Sequence, residues 1–65
     1  MKKRKYPGLV AEMVIQGETQ KELAKVIGIT PMAMSYKMTG KNDFTISEVE
    51  TICEHYNKNY YELFK

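Results

Sequence analysis

Apolar residues recur along the 65-residue chain at helical rather than strand spacing, in groups set apart by glycine, proline, threonine and asparagine. Leu9, Val10, Met13 and Val14 form one stripe of a helix that Pro7 suits as a first residue and Gly17 can end. Thr19 and Glu22 make a T-x-x-E capping box ahead of Leu23, Ala24, Val26 and Ile27, with Gly28 as the stop. Thr30-Pro31 is a restart signal, because the threonine caps free N–H groups while proline stands where no N–H is needed. A third helix is therefore expected from Pro31 to about Thr39, with Gly40 its left-handed stop and Lys41-Asn42-Asp43 a polar turn.

Thr45 and Glu48 repeat the capping box, with Phe44 and Val49 placed as a hydrophobic staple. Ile46, Val49, Ile52, Cys53 and Tyr56 are the expected buried stripe of the fourth helix. Asn59 and Glu62 cap a last short turn that carries Leu63 and Phe64. The pattern predicts an all-α fold of five short helices with no strand, one domain over residues 1–65, and a basic arm over residues 1–6.

A chain of this length builds a small core, and small cores commonly need a metal, disulfides or a partner. Cys53 is the sole cysteine and His55 the sole histidine. They offer no internal disulfide and too few ligands for zinc, which wants about four. Self-association is the remaining aid. No apolar run approaches the roughly 18 residues that span a bilayer. MKKRK resembles the start of a signal peptide, but Glu12 interrupts the apolar stretch after it and no small-residue cleavage site follows. A reduced, cytoplasmic protein without a small-molecule cofactor is expected.

The net charge of +2 is unevenly spread. Residues 1–43 carry eight Lys or Arg against four acids, and residues 44–65 carry two against four. The first part, with Lys2, Lys3, Arg4 and Lys5 at its head, suits a polyanion. No nucleophile–base set, carboxylate pair or phosphate-cradling glycine loop stands out, so an enzyme is not expected.

Only Gly28, Ile29 and Thr30 separate the second and third helices, and so short a link forces a steep crossing. Small Ala24 permits close approach, and Gly28 supplies the positive φ. The runs TQKELAKVIGIT and MSYKMTGKNDFTISEVETICEHYNKNYYELF carry a resemblance to the Cro and repressor family of phage and bacterial helix-turn-helix regulators, over roughly residues 9 to 64. The resemblance implies a lambda-repressor-like domain, a helix-turn-helix over about residues 19–39, and double-stranded DNA bound as a homodimer with the third helix in the major groove.

Position by position, Gln20 matches the family's phosphate-contacting glutamine, Ala24 its small packing residue, Gly28 its turn glycine and Met34 its buried aliphatic. Gly40-Lys41 matches the family's ending of the recognition helix. Pro31, Met32, Ser35 and Tyr36 are thereby placed at base edges, and Gln20, Thr30, Lys37, Lys41 and Asn42 at the backbone. Tyr60, Tyr61, Leu63 and Phe64 are the expected dimer surface, since one terminal turn buries little of so much apolar area.

The chain departs from the family where many members carry Gln, Arg or Asn. Pro31, Met32 and Ala33 stand there, and none makes a bidentate contact to a base. Lys37 also occupies a position that is often aliphatic; either Met38 takes that packing role or Lys37 extends its stem along the surface to a phosphate. A different class of function is consistent with those departures: a protein-binding adaptor or anti-repressor that docks through Met32, Ala33 and Tyr36.

Overall fold

The computed structural model describes residues 6–65. Five helices follow in order: α1 Pro7–Gln16, α2 Gln20–Ile27, α3 Pro31–Met38, α4 Ile46–Tyr56 and α5 Tyr60–Phe64. No strand occurs among the described residues. Lys2, Lys3, Arg4 and Lys5, the basic residues expected to suit a polyanion, lie outside the described residues.

Local chemistry sets the boundaries. Thr19, Thr45 and Asn59 each accept from the amide of the residue three ahead, and Glu22, Glu48 and Glu62 reach back to the capping amide, so all three expected capping boxes form. Thr30 caps α3 through its hydroxyl, 3.1 Å from the Ala33 amide. Gly28 adopts φ 78°, which lets the Ile29 amide turn back to the Ala24 carbonyl at 3.0 Å and closes the three-residue link to α3. Asn57 ends α4 the same way at φ 55°, a conformation asparagine tolerates better than most residues.

The core gathers Leu9, Met13, Leu23, Ala24, Met34, Met38, Ile52, Tyr56, Leu63 and Phe64. α1 packs chiefly on α5, α2 on α3 and α4, and α4 on α5. The Cα radius of gyration, 10.7 Å, is that of a compact chain of this length. At Gly8 α1 and α5 approach closely: a Cβ there would run into the Glu62 carbonyl oxygen.

Several apolar positions expected inside lie outside. Val14 and Ile46 are 74% and 80% exposed, and Val26 is exposed as well. These helices are so short that one row of side chains fills the contact, leaving the flanking row in water. Tyr6, assigned to the arm, is half-buried instead, and its ring lies 5.3 Å from both Phe44 and Phe64. Burial, helped by Asp43 and Tyr60, pushes its hydroxyl above the usual tyrosine pKa.

Leu63 and Phe64, expected to face a second copy, are buried within the chain's own core because α1 and Tyr6 cover them. Tyr60 and Tyr61 stay exposed.

Candidate functional site

α3 has an inner and an outer face, and its methionines divide between them. Met34 and Met38 are buried and root the helix in the core, while Met32 is 66% exposed. Pro31, Ser35 and Tyr36 share the exposure of Met32, and Ala33 is half-buried between the faces. The Thr30 cap fixes where this surface begins.

The end of α3 is organised around Tyr36. Its carbonyl accepts from the Lys41 amide at 2.9 Å and from the Asn42 amide at 3.2 Å, so the polar turn folds back on the helix. The Thr39 hydroxyl donates to the Ser35 and Tyr36 carbonyls. The Lys41 ammonium lies 4.6 Å from the centre of the Tyr36 ring, a cation–π contact that holds the charge beside the outer face.

Lys37 is placed differently from the expectation. Its ammonium stands 2.9 Å from a Glu48 oxygen and donates to the Asp43 carbonyl at 3.0 Å, and both side chains of the pair are largely buried. The charge expected at a phosphate therefore has an internal partner and ties α3 to the start of α4. Burial on its own would raise the Glu48 carboxyl, but the Thr45 amide and the Lys37 ammonium outweigh it and leave the pKa lowered.

Gln20 is the first residue of α2 and is exposed. It lines a depression of about 320 Å³ together with Val10, Met13, Val14, Glu18, Met38 and Thr39. The structure thus brings Gln20 near Met38 and Thr39 at the end of α3. Lys21 and Lys25 are exposed on α2, and neither forms an ion pair among the described residues.

A second polar cluster went unread in the sequence. The Tyr56 hydroxyl donates to Glu18 at 2.5 Å, and His55 Nε2 lies 3.0 and 3.1 Å from the two Glu18 oxygens. Glu12 is buried, accepting from Gln16 at 2.7 Å with the Lys58 ammonium 4.0 Å away. Burial and the bond to Glu18 push the Tyr56 hydroxyl well above its ordinary range. The one sequence clue was a tyrosine on a buried stripe, whose hydroxyl needs a partner. These contacts fasten the end of α4 to the segment after α1.

Cys53 is half-buried, and burial, with the Glu50 charge, raises its thiol pKa. Among the described residues no three or more His, Cys, Asp or Glu are gathered as metal ligands, and no helix is long and apolar enough to cross a membrane. No family model, curated protein or solved structure matches the chain.

Proposed function

We propose that the chain is a small transcriptional regulator that binds double-stranded DNA, with α2 and α3 as a helix-turn-helix and α3 laid in the major groove. The observation that carries this reading is the build of α3. It is capped at Thr30, rooted by Met34 and Met38, joined to α2 by a three-residue glycine turn, and exposed along Pro31, Met32, Ser35 and Tyr36. The resemblance to Cro and repressor proteins supports the same reading and adds repression as the mode of action in a cytoplasmic setting.

Thr30, Gln20, Lys41 and Asn42 flank the reading face and serve as backbone contacts, with Lys21 and Lys25 as further exposed cations. Lys37 is left out of that set, because its charge is spent on Glu48. A second copy occupies a second half-site, with Tyr60 and Tyr61 as the apolar area left for pairing.

Selection from a random duplex library tests this, and enrichment of a short palindrome is the supporting result. Lys41→Glu should then weaken every duplex alike and reduce the salt slope by about one. Lys41 is the cleaner test than Lys37, since Lys37→Glu would also set two carboxylates against each other.

Two observations favour a second reading. Met32 is largely exposed and the lysine of α3 is internally paired, which suits an apolar protein-docking face. On that reading Met32→Asp abolishes capture of a protein partner, Lys41→Glu does not, and no duplex is enriched.

A further inference from the structure

On the proposed DNA-binding reading, we infer that α3 recognises thymine through its 5-methyl group, with Met32 as the residue that reads it. Each base edge in the major groove asks for a particular chemistry. Guanine takes a fork of N–H donors from Arg or Lys, adenine takes an Asn or Gln amide, and cytosine donates to a carboxylate.

α3 holds none of these on its outer face. Its residues are Pro, Met, Ala, Met, Ser, Tyr, Lys and Met, with no Arg, Asn, Gln, Asp or Glu. Its lysine is fixed at Glu48 and the Asp43 carbonyl. Lys41, beyond the helix, has its ammonium over the Tyr36 ring. The Ser35 and Tyr36 hydroxyls accept and donate alike and do not by themselves single out one base.

What the face offers distinctively is apolar area near its N-terminal end, the end that approaches base edges in this docking mode. Ala33 is half-buried, and Pro31 occupies the first turn with a rigid ring. Met32 is the long, flexible and exposed group. The thymine methyl is the apolar feature of the major-groove edge, and a thioether side chain can close over it and exclude water.

The test uses the duplex enriched from a random library, prepared with thymine and with deoxyuridine, which lacks only the methyl. Each methyl covered by Met32 is expected to contribute about fourfold in affinity, the value of burying one such carbon. Met32→Ala should lower affinity for the thymine duplex and bring the thymine-to-uracil ratio to about one, whereas Met32→Leu should keep most of the ratio. Equal binding of the two duplexes by the unaltered protein, or a ratio that survives in Met32→Ala, overturns the inference while leaving DNA binding in place. Failure of any duplex to be enriched overturns the underlying reading as well.

Discussion

The α1–α5 and α2–α3 contacts each join two short helices, yet they are built in opposite ways. α1 and α5 meet backbone to backbone at Gly8, and the rings of Tyr6, Phe44 and Phe64 close the gap beside them. At that junction Leu9, Leu63 and Phe64 are buried, while Tyr60 and Tyr61 stay exposed. α2 and α3 are set instead by caps and a glycine turn, and only the inner face of α3 is covered. One pair uses its surface for cohesion, whereas the other holds a face open on a fixed base.

The two pairs should therefore respond differently to substitution. The largest effect is expected from Met34→Ala, which empties a fully buried site beneath the open face and should cost about 2–5 kcal/mol in denaturant unfolding. A domain of this size has little stability in reserve, so a partly unfolded variant is the expected result.

Gly8→Ala comes next. Alanine would gain about 1 kcal/mol of helix propensity, but its Cβ meets a backbone carbonyl that cannot rotate away. A net loss of about 1–3 kcal/mol follows, seen as a lowered Tm. An unchanged or raised Tm would show that α1 and α5 are not held as closely as described.

Lys37→Ala is intermediate. The pair with Glu48 lies between an exposed bridge and a buried one, so about 1–2 kcal/mol is expected. Glu48 makes this pH-dependent. Its folded pKa lies below the ordinary 4.5. The stability it contributes is thus complete above about pH 4.5 and is lost as the pH falls through the lower folded value. Urea midpoints measured from pH 7 down to pH 3 should fall less steeply for Glu48→Gln than for the unaltered protein.

Met32→Ala should change stability by less than about 0.5 kcal/mol, since the side chain is mostly in water. It sharpens the comparison most when set beside Met34→Ala: two methionines two residues apart, one structural and the other not.

Helix boundaries were legible because caps are local chemistry; Thr19, Thr45 and Asn59 announce their helices within four residues. Burial on the inner face of α3 was legible too, since Met34 and Met38 are four apart and share a side. Spacing could not show how wide each contact is, so Val14 and Ile46 read as core and stand in water. Nor could it show what covers α5, so Leu63 and Phe64 read as a partner surface although α1 already buries them.

The polar links were the least visible. Lys37 meets Glu48 across the α3–α4 turn, and Glu18 meets Tyr56 across 38 residues. Both pairs depend on how the helices pack, which no local pattern records. The Lys37 pair bears most on the site, because it gives one of the cations expected at the DNA backbone an internal partner.

The most direct test of α3 as a DNA-reading helix is a titration of fluorescent duplex with the folded protein across a range of salt. Binding is expected at low salt, and the affinity should fall about tenfold for each two phosphates neutralised as salt rises from about 50 to about 200 mM. A protein that circular dichroism shows to be helical, yet that has no affinity for any duplex at low salt, would contradict the assignment.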